Sequence, residues 1–270
     1  MSPYVASLGM YDHPAQQAAN DRLWGEIARL LVARGVAGVP ARLDRSRSVQ
    51  DIWRDPALLL GQACGYPLAA DRRLTLRVLA LPTYDLPRCG DATHGSVLVA
   101  RAEDGRETLA AYRHTRAAIN DRLSNTGMNL FRATIAPIAR ASVFFDAVIE
   151  TGSHRASMAA IAAGEADLAA IDAVTYAALD RHEPDLTAAL RIVAHSPESP
   201  TLPFVTSATT PIDTVAAVLT ALTQVLHDPG LADARALLGL SGVTPAGPEA
   251  LAPVLALEAI AIDLGYPVLR

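Results

Sequence analysis

The chain reads as an α/β protein of two lobes, each a mainly parallel sheet flanked by helices, with a ligand cleft between them. Three observations predict this. Short apolar runs with strand character alternate with stretches of helical spacing along all 270 residues. A charged connection at 101–116 and the segment SPESPTLP at 196–203, with three prolines in eight residues, offer two crossing points. The run PFVTSA after the second crossing has the character of a strand returning to the first lobe. The expected division is 1–102 with 203–270 for a discontinuous first lobe and 103–202 for an inserted second lobe, the chain order of a hinged ligand clamp.

The elements follow in order. YVASLGMY predicts an opening strand that ends in Tyr11. Residues 13–34 predict a helix, because Pro14 suits a first turn, Leu23, Trp24, Ile27, Leu30 and Leu31 form one apolar stripe, and Gly35 stops it. A short strand is expected at 39–43 and a small helix at 49–53. LLLGQ at 58–62 is a buried strand that breaks at Cys64, Gly65 and Tyr66. LTLRVLAL and HGSVLVAR are two more strands around a loop containing Pro and Gly, and VIET, DLAAID and LRIVAHS supply strands further on. Helices are expected at 211–226, 231–240 and 253–264, the first with Val215, Val218, Leu219, Leu222 and Val225 on one face. Trp24 and Trp53 read as core.

Composition narrows the function classes. With 51% hydrophobic and 19% charged residues the chain is globular, and a net charge of −5 gives it no general affinity for nucleic acid or anionic membrane. All 23 basic residues are Arg, scattered along the chain, so any anion site has to be local. No apolar run reaches the length of a membrane span, and no membrane insertion is expected. The first residues have no basic start before an apolar run, so the chain as written is expected to be cytoplasmic. Cys64 and Cys89 lack metal-site spacing; they are expected either to form one disulfide or to remain as two buried thiols. No metal-ligand cluster, nucleophile elbow or Gly-rich phosphate loop is present, and neither a metal nor a cofactor is expected.

The chemistry is concentrated in INDRLSNTGMNLFR (119–132) and TGSHRASMAAIAAGEADLAAIDAVTY (151–176). In the first, the apolar run TRAAI ends in Ile119, and the turn Ser124, Asn125, Thr126 and Gly127 feeds a helical stretch. Backbone N–H groups at a helix start, beside short hydroxyl donors, are the ingredients of an anion site. In the second, VIET leads through Gly152, Ser153 and His154 into a short helix closed by Gly164, and DLAAID ends in Asp172. Each turn alone also has an ordinary reading as a helix cap, and Asp172 in particular reads equally well as the cap of the next helix. Beside an anion, a carboxylate makes sense where the ligand carries a proton or an amine to share. Arg132 and Arg155 read as solvent-facing.

These residues carry a family resemblance. WRDPALLLGQACGYPL, PTYDLPRCG, INDRLSNTG, TGSHRAS, AAGEADLAAID and the terminal LGYP together resemble the phosphate, phosphite and phosphonate substrate-binding proteins of ABC transporters, with the type II periplasmic-binding-protein-like fold. The resemblance implies a non-catalytic solute-binding protein for a small oxyanion-bearing ligand, an ABC permease as partner, a monomer or weak dimer, and a periplasmic location usual for the family. It implies Ser124, Asn125 and Thr126 as the first anion cradle, His154 as a donor from the second helix start and Asp172 opposite. Tyr11 and Tyr66 would line the first-lobe wall. Thr126 stands where the family usually has Ser and keeps the hydroxyl. Two other readings stay open: a cytoplasmic enzyme on this fold, with His154 and Asp172 as general acid and base acting on a small carboxylated or aromatic metabolite, and a ligand sensor.

Overall fold

The computed structural model describes residues 4–270. They form two compact units. One comprises the chain up to Asp85, Gly90–Ala92 and Pro200–Ala250; the other comprises Leu86–Cys89, Thr93–Ser199 and Leu251–Arg270.

In the first unit a five-stranded sheet runs in the order Val5–Ser7, Leu58–Gln62, Phe204–Ser207, Leu76–Tyr84, Leu240–Pro245. The first pair is parallel; Phe204–Ser207 and Leu240–Pro245 run antiparallel to their neighbours. Helix Gln17–Ala33 buries Leu23, Trp24, Ile27 and Leu31, the predicted stripe, and helix Ile212–His227 buries Val215, Val218, Leu222 and Val225. Around Leu58 a core forms from Ile52, Trp53, Ala63, Cys64 and Val205, and Trp53 Nε1 donates to the Gln62 carbonyl at 2.9 Å. Both tryptophans are core residues, as their apolar surroundings predict.

In the second unit the order is Ala147–Glu150, Arg116–Ile119, Leu168–Asp172, Ser96–Arg101, Leu190–His195. The first three strands are parallel and the last two pairs antiparallel. Val97, Val99, Ala118, Ala169 and Ile171 pack there on Met158 and Ile161 of helix His154–Ala162.

The α/β class and the helix-flanked sheets are those the sequence predicts, but the sheets are mixed rather than mainly parallel. A helical crossover makes its two strands parallel; a strand that follows a connection without one, such as Ser96–Arg101 or Phe204–Ser207, is under no such constraint. The division of the chain also differs from 1–102 with 203–270 and 103–202. Ser96–Arg101 belongs to the second sheet because it pairs with Leu168–Asp172 and Leu190–His195. The last twenty residues belong to the second unit because helix Ala252–Asp263 packs on helix Leu130–Ala139. Smaller differences follow local chemistry. The opening strand ends at Ser7 and a 3₁₀ turn, Gly9–Tyr11, carries Tyr11; residues 39–43 form no strand; Gly65–Ala70 is a short helix; and LSGVTP pairs as the strand Leu240–Pro245.

Arg132 is the clearest departure from a solvent-facing reading. It is 4% exposed. Its guanidinium donates to Asn129 Oδ1 at 2.7 Å and to the Pro267 carbonyl at 2.8 Å, and lies 3.2 Å from Glu258. Arg155 does face solvent, paired with Glu183 at 2.7 Å. Removing the guanidinium leaves the buried Asn129 Oδ1 without this donor and the half-buried Glu258 without this cation. Arg132→Ala is therefore expected to destabilise the protein by about 3 kcal/mol in urea unfolding, with Arg155→Ala changing it by less than about 1 kcal/mol.

Candidate functional site

The second unit places its chemistry at the carboxyl ends of its parallel strands. Arg116–Ile119 and Leu168–Asp172 run side by side, and the turn after the first carries Ser124 to Gly127. Instead of entering an α-helix directly, the chain makes one π-helical turn, Asn125–Asn129, before helix Leu130–Ala139. Such a wide turn opens the backbone, and it recurs at functional sites.

Ser124 is the N-cap: its Oγ accepts from the Gly127 N–H at 2.9 Å, which leaves the hydroxyl proton to donate. Asn125 is buried and its side-chain amide is engaged at both ends, Nδ2 donating to Ser199 Oγ at 2.7 Å and Oδ1 accepting from Asn129 Nδ2 at 3.0 Å. Asn129 in turn bonds the Val254 carbonyl at 3.0 Å. Ser96 ties the turn to the sheet, donating its hydroxyl to the Thr126 carbonyl at 2.8 Å.

Thr126 Oγ1 and His154 Nε2 lie 3.2 Å apart, so the two helix starts meet through one hydroxyl and one imidazole. His154 is the first residue of its helix, capped by Ser153, whose Oγ accepts from the Ala156 N–H at 3.1 Å. Burial pushes the His154 imidazole below its ordinary pKa; the Asp172 charge and the Ala170 carbonyl oppose this, and the nearby His94 adds to it. His154 is accordingly neutral at pH 7.

Asp172 is the cap that one of its two readings describes: Oδ1 accepts from the Thr175 N–H at 2.9 Å and starts helix Ala173–His182. Its other oxygen faces a residue that the sequence analysis passed over. Asp172 Oδ2 lies 3.2 Å from Nδ1 of His94, and both side chains are enclosed, at 2% and 0% exposure. Burial alone would raise the Asp172 carboxyl; the close approach of His94, with His154 and the Thr175 N–H, outweighs it and holds the group at about 2. The enzyme reading paired His154 with Asp172, whereas the hydrogen-bonding partner of His154 is Thr126 and the close neighbour of Asp172 is His94.

Asn120 completes the cluster. Its Oδ1 is buried with no hydrogen-bond partner among the described residues, and a Cβ on Gly127 would lie 1.8 Å from it and 3.0 Å from His154 Cε1. Only glycine fits where the turn, the carboxamide and the imidazole converge.

Ser124, Asn125, Thr126, His154 and Asp172 are thus brought together within the second unit. Tyr11 and Tyr66 belong to the first unit, where each follows one strand of the parallel pair. The Tyr11 ring meets Tyr84 edge-on at 5.8 Å, and Gln62 Nε2 donates to the Tyr84 hydroxyl at 3.2 Å. Tyr66 is 8% exposed. Both cysteines are free thiols, Cys64 buried and Cys89 half-buried rather than both buried; burial and the Asp172 charge push Cys89 up to about 12.

Two measurements check this geometry. Gly127→Ala forces Asn120 and His154 apart and is expected to cost about 1–3 kcal/mol in urea unfolding, the usual penalty of overpacking. Because folding lowers the His154 pKa, the unfolded chain takes up that proton first as pH falls through the ordinary histidine range near 6.5. This contribution to stability is complete at higher pH and declines below about 6.5, so unfolding free energies measured at pH 7 and 5 should differ less in His154→Gln than in the unsubstituted protein.

Comparison with known proteins identifies the family. The family model described as the ABC transporter, phosphonate, periplasmic substrate-binding protein matches residues 58–251. No curated protein matches the chain. Among solved structures, a binding protein component of an ABC phosphonate transporter from Pseudomonas aeruginosa has a TM-score of 0.74 at 15% identity, covering 98% of this chain and 88% of its own. PhnD1 from Prochlorococcus marinus, in complex with methylphosphonate, has a TM-score of 0.73 at 12% identity, covering 96% and 97%. XAC2383 from Xanthomonas citri, bound to ATP, has a TM-score of 0.69 at 15% identity, covering 98% of each chain. At these identities the structural likeness carries the fold, while the match over 58–251 carries the family: the chain belongs to the phosphonate-type periplasmic substrate-binding proteins of ABC transporters, which are solute-binding proteins and not enzymes.

Proposed function

We propose that the chain binds a small phosphorus oxyanion, a phosphonate, phosphate or phosphite, and delivers it to an ABC permease at the outer face of a cytoplasmic membrane. The observation that carries this reading is the meeting of two helix starts at Thr126 and His154, 3.2 Å apart, with the Ser124 hydroxyl capping the first. An oxyanion presents several acceptors in a small volume, and a hydroxyl, an imidazole and helix-start N–H groups answer them without a formal positive charge on His154.

In this reading the Ser124 and Thr126 hydroxyls donate to the ligand, the neutral His154 gives its one N–H to the ligand in place of Thr126 Oγ1, and Asn125 holds the turn through Ser199 and Asn129. Tyr11 and Tyr66 are assigned as aromatic ligand contacts of the first unit. No helix among the described residues is long and apolar enough to cross a membrane, which suits a solute carrier that works with a separate permease.

The test is calorimetric titration with methylphosphonate, phosphite, inorganic phosphate and sulfate. Binding of one of the phosphorus anions is expected, weakened about tenfold or more by Thr126→Val and by His154→Ala, since a hydrogen bond to a charged group contributes about 1.5–3 kcal/mol. Absence of binding across the panel would remove the reading.

A further inference from the structure

His94 is the buried group that the proposed ligand contacts leave unused. It lies in the two-residue strand Thr93–His94, two residues before Ser96, and Ser96 pairs in register with Asp172 and donates to the Thr126 carbonyl at 2.8 Å. The ring is fully enclosed, Nδ1 sits 3.2 Å from Asp172 Oδ2, and neither ring nitrogen has a hydrogen-bond partner of good geometry. Nε2 has no partner among the described residues, and a buried polar atom left so is costly unless something else answers it.

We infer that His94 is a further ligand-binding residue, an imidazolium that directs Nδ1–H to Asp172 and Nε2–H to the bound oxyanion, and that this engagement of Asp172 selects against amino-substituted ligands. The inference rests on the oxyanion reading of the site. An imidazole set between a carboxylate and an oxyanion has an acceptor on each side, so both of its nitrogens donate, which only the protonated ring can do. Asp172, with Oδ1 on the Thr175 N–H and Oδ2 facing His94, is then compensated within the protein and has no charge left over for a ligand ammonium. His94 meanwhile adds a cation that an ammonium-bearing ligand would meet with repulsion.

The other titratable groups around His94 do not supply this charge. His154 is held neutral by burial, and Cys89, which pairs with His94 by a backbone bridge, stays a thiol. Arg88 and Glu198, whose charges reach Cys89, lie 3.8 Å apart as a pair of opposite sign.

The experiment titrates the protein, His94→Gln and Thr126→Val with methylphosphonate and with 2-aminoethylphosphonate, and follows ring ¹⁵N signals of the unsubstituted protein through the methylphosphonate titration. Preference for methylphosphonate by about tenfold or more is expected, with His94→Gln weakening that ligand and narrowing the gap, and with both His94 nitrogens moving into the protonated range on binding. Equal or tighter binding of the amino-substituted ligand overturns the inference. So does a His94→Gln protein with unchanged affinities and order while Thr126→Val still weakens both, an outcome that leaves the oxyanion reading standing. If neither phosphonate binds the unsubstituted protein, the inference falls, and the oxyanion reading falls with it only when inorganic phosphate and phosphite fail to bind as well. Should His94→Gln not fold, the ¹⁵N signals decide: His94 nitrogens unmoved at methylphosphonate saturation overturn the inference.

Discussion

Burial of polar groups is the constraint on which the second unit depends. A polar side chain taken out of water has to find a partner there, and a run of such partners passes through the site. Ser199 accepts from Asn125, Asn125 accepts from Asn129, and Asn129 bonds both the Val254 carbonyl and Arg132. Arg132 then reaches the Pro267 carbonyl and Glu258. One connected network thereby fixes the turn Asn125–Asn129, the start of helix Leu130–Ala139 and the last twenty residues. Satisfied networks of this kind hold a unique arrangement more strictly than apolar contacts do.

Against that background the groups without partners stand out. Asn120 Oδ1 and both nitrogens of His94 are buried without a hydrogen bond of good geometry, and all lie around Thr126, His154 and Asp172. The same unit that satisfies Asn125, Asn129 and Arg132 leaves these exceptions beside the two helix starts. Neighbouring residues of one turn differ in this way: Asn125 and Asn129 face the network, while Ser124 and Thr126 carry hydroxyls where the two helix starts meet.

Electrostatics divides the charged groups in the same way. His154 is kept neutral by enclosure, so its contribution is a directed N–H or lone pair rather than a charge. Asp172 is kept ionised by His94 and by the helix it caps. Its two readings from sequence, helix cap and ligand-site carboxylate, are compatible, because one oxygen serves the helix and the other faces the imidazole.

Much of this was legible from residues in order. Apolar spacing located Gln17–Ala33, Leu58–Gln62, Leu168–Asp172 and Ile212–His227, because those elements bury a face whose period is written locally. The hydroxyl turn at Ser124 and the cap before His154 were equally local, since capping is settled within four residues. Strand direction, the division of the chain and the second unit's claim on Leu251–Arg270 were not, because they depend on pairings such as Ser96 with Asp172 and Asn129 with Val254 that lie far apart in the chain. Arg132 looked like any arginine near a helix start until Glu258 and the Pro267 carbonyl came to meet it. His94 sat unremarked at the start of the expected strand HGSVLVAR, for its meaning depends on a carboxylate 78 residues further on, at 3.2 Å in space. The sequence by itself determined the α/β class and the chemistry of the two helix starts, whose causes are local; only the tertiary structure decided which buried polar groups find partners and which do not, because that depends on residues the chain keeps far apart.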